Sequence, residues 1–276
     1  MEIKTYNPKH PVLKKYIEYY YKTVLEDHSF FAYPHYNLPV SIISKAESKV
    51  INNKVVVSQK SKSNLQSFTY NKFAKPIHIE LNGKCNVFCL VFKPYGLVQF
   101  LPNSINLNSQ KNILIINLFD NLLEYSPNFS ELNINDKINK IESYLLSIFQ
   151  EKEDSEIVIK AISIIKKQDK LSIKEIAELC NCHQKKLYRL FNKLCGDSPM
   201  VFKKIIQFRK ALEKIKVTNS SFKLTNVALD SNYYDQSAFN NAFKKLTGEK
   251  PSQFFKETEI YTPENIYFKE VKKVNV

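Results

Sequence analysis

The sequence predicts an α+β chain in two parts: a β-rich N-terminal half followed by helices, and an all-helical C-terminal half holding two helix-turn-helix units. Three observations carry that expectation. Short β-branched and aromatic runs fill residues 1–110. Apolar residues spaced three and four apart take over from about 113 onward. A Phe-Gly-Pro-Phe pattern then recurs at an offset of 52 residues, as Phe191, Gly196, Pro199 and Phe202 and again as Phe243, Gly248, Pro251 and Phe254.

The runs IEYYYKTV, PVSIISK, KVVVSQ, PIHIEL and NVFCLVFKP are separated by Asn, Pro, Ser or Lys. Such runs are strands, and several of them without long helices between suggest a sheet that closes or folds on itself. ILIINLFDNLLEY and INDKINKIESYLLSIFQ predict amphipathic helices within 113–149. The polar stretch Gln150–Ser155 predicts a hinge. The expected division is 1–150 (β-rich 1–110, helical 113–149), then helical 155–256, then an extended C-terminal extension over 257–276.

Composition narrows the function classes. At 43% hydrophobic and 13% aromatic the 276-residue chain suits packed cores rather than disorder. No run of 18 apolar residues predicts a membrane span, and MEIKTYNPKHPVLKKY lacks a signal-peptide core, so a cytoplasmic protein is expected. Residues 1–154 hold 18 lysines against 14 carboxylates, whereas 155–256 hold 20 cations against 9. The second segment has the balance of a polyanion binder, although a solvated lysine-rich surface would give the same balance. The odd count of five cysteines predicts free thiols. Cys180 and Cys182 are too close for a standard zinc pair, and no second pair follows. His78 and Glu80 share one side of a strand with His35 far away in sequence, so ordinary strand residues are expected there. The aromatic stretch from Tyr19 to Tyr36 is expected mostly in the core, with some rings as candidates to line a pocket. Neither a metal nor a cofactor is expected.

The repeat has a physical reading. A helix ends at Gly196 or Gly248, where a residue without Cβ adopts the left-handed cap. Pro199 or Pro251 then opens the next helix, where its missing N–H costs nothing. Upstream, Ile176-Ala177 and Val227-Ala228 mark short helices whose alanines let a second helix pack closely. Tight turns containing Asn181 and Asn232 follow, since asparagine tolerates positive φ. In the longer helices, about 183–195 and 235–247, Leu187, Leu190, Phe191 and Leu194, and likewise Phe239, Ala242, Phe243 and Leu246, face inward. Asp235 is the expected N-cap of the second.

The outward faces present Gln184, Lys185, Lys186, Tyr188, Arg189, Asn192 and Lys193, then Gln236, Ser237, Asn240, Asn241, Lys244 and Lys245. These are the donors that read DNA: Arg for guanine, Asn or Gln for adenine, Lys for phosphate. The chain has only two arginines, and one of them, Arg189, lies on this face. Its rigid fork binds bidentately as lysine cannot. Arg209 is expected to be structural.

LSIKEIAELCNCHQKKLYRLFNKLCGDSPMVF and LTNVALDSNYYDQSAFNNAFKKLTGEKPSQFF together resemble the DNA-binding domain of the AraC/XylS family of bacterial regulators. The spacing from Ala177 to Leu187 is ten and from Ala228 to Phe239 eleven, as in that family's two units. Asn181 and Asn232 stand where the family usually has Gly, and His183 stands at a cap where it often has Ser or Thr. The resemblance implies a domain of about seven helices whose recognition helices enter successive major grooves, joined by a helix over 200–216. Carried over by position, the base-reaching residues are Lys185, Tyr188 and Arg189, then Gln236, Ser237 and Asn241. It also implies a cupin-like or related N-terminal domain that senses an effector or mediates dimerisation. Double-stranded DNA is therefore the expected partner, with a small-molecule effector and a second copy of the chain as further candidates.

The chain is accordingly read as a regulator and not an enzyme. The alternatives are a DNA repair or modification enzyme using the same module, and a ligand-independent DNA-binding protein. The first needs a nucleophilic cysteine, and neither Cys85 nor Cys89 has a Pro-Cys-His context. The second differs from a regulator only in whether the N-terminal half encloses a cavity.

Overall fold

A computed structural model describes residues 3–60, 65–70, 75–102, 107, 113–116, 118–126, 128–168, 170–217, 224–231, 233–261 and 266–271. The N-terminal half is built on two six-stranded sheets. One runs β1 (Lys4–Tyr6), β2 (Ile17–Glu26), β9 (Lys84–Phe92), β4 (Leu38–Ser44), β7 (Leu65–Tyr70) and β10 (Ile113–Ile115), all antiparallel. The other runs β11 (Glu259–Tyr261), β12 (Ile266–Glu270), β3 (Ser29–Ala32), β8 (Ile77–Asn82), β6 (Lys54–Gln59) and β5 (Ala46–Ile51), with β6 and β8 parallel.

Period-2 alternation sets what each face buries. Leu25, Ile43, Phe68 and Val87 of the first sheet meet Phe30, Val55, Val57, Ile79 and Leu81 of the second in one apolar layer. The opposite side of the first sheet sends Tyr20, Val40, Ile42, Phe88 and Leu90 into another core, under α1 (Pro11–Tyr16) and α3 (Ile134–Ile148). Burial of this kind contributes about 25 cal/mol per Å² of apolar surface.

That second core does not stop at the end of the β-rich half. It continues through Ile162, Ile176, Leu187 and Phe191 of the helical half. The helical half comprises α4 (Ser155–Lys167), α5 (Ile173–Leu179), α6 (Gln184–Cys195), α7 (Pro199–Val217), α8 (Leu224–Asp230), α9 (Gln236–Thr247) and α10 (Pro251–Glu257). Among the described residues, no helix is long and apolar enough to cross a membrane.

The structure departs from expectation in three places. Residues 113–115 form strand β10, paired with β7, and the helix expected there is confined to α2 (Leu122–Tyr125). An apolar run this short does not separate a buried strand from a helix by period, and Ile113-Leu114-Ile115 finds an open sheet edge. Second, the polar stretch 150–155 is pinned rather than loose. Gln99, fully buried, accepts Gln150 N–H on its carbonyl (2.9 Å) and Lys152 N–H on its Oε1 (2.7 Å). Its Nε2 donates to the Tyr95 carbonyl (3.0 Å) and to Ser155 Oγ (3.2 Å).

The third concerns the tail. Strands β11 and β12 return to the β-rich half, where β12 pairs with β3 in the register Phe268↔Ala32, Lys269↔Phe31 and Glu270↔Phe30. Val271 N–H extends the seam to the Ser29 carbonyl (2.7 Å), and Lys269 is ion-paired with Glu249 just beyond α9. Residues 262–265 and 272–276 of the expected extension lie outside the described residues.

The loop between β3 and β4 joins the halves. Tyr33 enters the core of the second helix-turn-helix unit, edge-on to Phe254 (4.7 Å). Tyr36 lies near Phe202 (6.2 Å) and beneath Lys166 Nζ (4.2 Å). Arg209 of α7, only 4% exposed, donates from Nε to the Pro34 carbonyl (2.6 Å) and from an Nη to the Tyr33 carbonyl (3.1 Å). It is the structural arginine the sequence suggested.

Candidate nucleic-acid interface

The sequence repeat reappears as repeated geometry. Gly196 and Gly248 close α6 and α9 at φ +75° and +82°. A side chain added at Gly248 would meet nothing within 4 Å, so the left-handed backbone, not space, selects glycine there. Pro199 and Pro251 open α7 and α10. Across each turn the two repeated phenylalanines meet edge to face, Phe191 with Phe202 at 5.7 Å and Phe243 with Phe254 at 5.2 Å.

The first helix of each unit also repeats. Ser172 and Glu175 form a reciprocal capping box on α5. Ala177 and Ala228 are buried, and their carbonyls accept the backbone N–H of Cys182 (3.0 Å) and Tyr233 (2.9 Å). Asn181 turns the chain at φ +52°, as expected of it. Asn232 lies outside the described residues.

The longer helices present the expected inward faces. Leu187, Leu190, Phe191 and Leu194 are buried in α6, and Phe239 and Phe243 in α9. Ala242 and Leu246 are half-buried. The caps differ in strength. Asp235 accepts Ala238 N–H at 2.7 Å, whereas His183 makes no side-chain cap bond. An acidic cap of this sort is worth about 1 kcal/mol.

The expected contact residues sort by exposure. Gln184, Lys185, Arg189 and Lys193 are exposed on α6, and Ser237, Asn241, Lys244 and Lys245 on α9. Tyr188, Asn192, Gln236 and Asn240 are half-buried at the margins of these faces. Tyr188 packs against the core, and Asn240 Oδ1 is buried without a hydrogen-bond partner. Lys186 is half-buried and ion-paired with Asp154 at 3.1 Å, so it leans toward the start of α4. Sequence reasoning passed over Tyr234, which lies just ahead of Asp235 and is 91% exposed. Its signal was the one-residue difference in spacing between the two units.

The residues weighed for other chemistry are engaged elsewhere. His78 contacts Ser29 Oγ (2.8 Å) and stacks on Phe31 (4.9 Å), and Glu80 pairs with Lys54 (2.6 Å). Half-buried His35 accepts Asn37 N–H at 2.8 Å. No three His, Cys, Asp or Glu side chains gather to hold a metal among the described residues. All five cysteines are free thiols. Burial pushes Cys89 up to about 12 and raises Cys85, Cys180, Cys182 and Cys195 above the usual thiol range. A nucleophilic cysteine needs the opposite shift.

Comparison with known proteins adds a family match. Residues 164–257 match the family model described as a helix-turn-helix domain. No curated protein matches the chain. Among solved structures, ToxT from Vibrio cholerae is similar at 14% identity and TM-score 0.46, over 85% of this chain and 97% of that one. The C-terminal domain of AraT, a response regulator from Geobacillus stearothermophilus, is similar at 28% identity and TM-score 0.34, over 37% of this chain and 85% of that one. A probable AraC family transcriptional regulator from Rhodopseudomonas palustris CGA009 is similar at 21% identity and TM-score 0.33, over 36% and 93%. With residues 164–257 matched and two helix-turn-helix units in place, the chain carries in its C-terminal region the AraC-type helix-turn-helix domain, a DNA-binding domain of transcription regulators.

Proposed function

We propose that this chain is a sequence-specific regulator of transcription that binds double-stranded DNA with α6 and α9 in successive major grooves on one side of the duplex. One observation carries the reading. Two recognition helices expose Lys185, Arg189 and Lys193, then Ser237, Asn241, Lys244 and Lys245, with their apolar residues turned inward. Between the units lies α7, whose 19 residues span about 28 Å at 1.5 Å per residue. That length is close to the roughly 34 Å of one duplex turn.

In this reading Arg189 reads a guanine, Asn241 an adenine, and the lysines hold phosphates. The first unit is the main source of affinity, and the second, rich in Ser, Asn and Gln, adds weaker contacts. The β-rich half senses an effector or mediates dimerisation. The grip of Arg209 on the loop from Tyr33 to Asn37 supports it as a route by which a change there reaches α7. We read no enzymatic activity in the chain, because the environment of its thiols disfavours the reactive cysteine a repair enzyme would use.

The test is binding of fragments selected from the parent genome, followed through a salt series. Five exposed cations on α6 and α9 (Lys185, Arg189, Lys193, Lys244 and Lys245) predict a slope of log K against log salt of about −4.5. Affinity is then expected to fall roughly several-hundred-fold between 50 and 200 mM. A flat response, or fragments with no enrichment near promoters, would count against the proposal.

A further inference from the structure

The two turns differ by one residue, and the backbone shows which residue is extra. Cys182 and Tyr233 occupy the same place, since each donates its N–H to the carbonyl of the repeated alanine. After Cys182 the next residue is the N-cap, His183. After Tyr233 one residue intervenes before the N-cap Asp235, and it is Tyr234. Both of its neighbours are anchored. Tyr233 packs edge-on against Phe239 (5.2 Å), and burial pushes its phenol up to about 12. Asp235 is held by its cap bond. Tyr234 therefore has no way to fold inward, and at 91% exposure it is the most exposed large apolar side chain among the described residues.

The position also lacks something that its counterpart has. The beginning of α6 carries Lys185, Lys186 and Arg189, whereas α9 carries no cation before Lys244. If α9 enters a groove as proposed above, phosphate contacts at its leading end must come from neutral donors. The tyrosine hydroxyl is such a donor, and its ring offers an apolar face to a sugar.

We infer that Tyr234 is a DNA-contacting residue of the second unit, its hydroxyl donating to a backbone phosphate beside the leading end of α9. It fixes the register of α9 on the duplex without reading a base. This rests on the DNA-binding reading of the chain.

The test uses the full-length chain and a duplex selected by the wild-type protein from a random-sequence library. Tyr234→Ala is expected to weaken binding about tenfold and Tyr234→Phe about threefold, at unchanged melting temperature. Because the contact is uncharged, the salt slope stays at its wild-type value. Replacing one phosphate beside the second element with a neutral methylphosphonate should weaken the wild type and leave Tyr234→Phe nearly unaffected. If the wild type binds the duplex and Tyr234→Ala binds it equally well, the inference is wrong while the DNA-binding reading stands. If the wild type selects no duplex, both fall together.

Discussion

Arg189→Ala is expected to lower affinity for a selected site by about 10- to 100-fold, with no change in melting temperature. The magnitude follows from the proposed bidentate pairing of Arg189 with a guanine, a contact that contributes about 1–3 kcal/mol of discrimination. The absence of a folding effect follows from exposure, since Arg189 stands on the solvent side of α6 while Leu187, Leu190 and Phe191 hold that helix in place. Arg189→Lys separates charge from geometry. It keeps the cation and loses the fork, so it should retain non-specific affinity and the salt slope while losing most of the sequence preference. A competition shift assay at fixed salt measures both. Arg189→Ala with unchanged preference would remove α6 as the principal reading helix.

Phe243→Ala costs about 3–5 kcal/mol of stability, the range for removing a buried phenylalanine. The ring is fully buried and meets Phe208 (5.4 Å), Phe239 (5.5 Å) and Phe254 (5.2 Å) edge to face. Phe208 belongs to α7 and Phe254 to α10, so one side chain ties two helices to α9. A loss of that size is a large share of the roughly 5–15 kcal/mol that holds a typical protein together. The melting temperature should fall by roughly 6–20 °C, and the second unit should lose its grip on DNA. Calorimetry or a dichroism melt checks the first expectation. A cost under about 1 kcal/mol would mean that the cluster around Phe243 relaxes far more readily than its packing suggests.

The parts of the fold legible in the sequence are those fixed by local physics. Gly196 and Gly248 need positive φ, Pro199 and Pro251 need a helix start, and the inward leucines and phenylalanines need the 3.6-residue period. Each of these is written into a few consecutive residues. What was not legible depended on distant partners. Ile113–Ile115 reads as either strand or helix until β7 offers an edge. Residues 150–155 read as a hinge until Gln99 is seen to hold them. The tail reads as an appendage until β3 pairs with it.

The interface followed the same division. Exposure of Arg189, Lys185 and Asn241 was readable from the helical wheel. The pairing of Lys186 with Asp154 was not, because Asp154 comes from the segment before α4. Tyr234 was visible as a spacing of eleven against ten, yet only the matched alanine carbonyls identify it as the extra residue.

The most direct test of the two-unit account is hydroxyl-radical and methylation footprinting of the wild-type chain on a selected duplex. The account predicts two protected major-groove patches on one face of the DNA, about one helical turn apart, with Arg189→Ala erasing the preference at one of them. A single protected patch, or two patches on opposite faces, would contradict it.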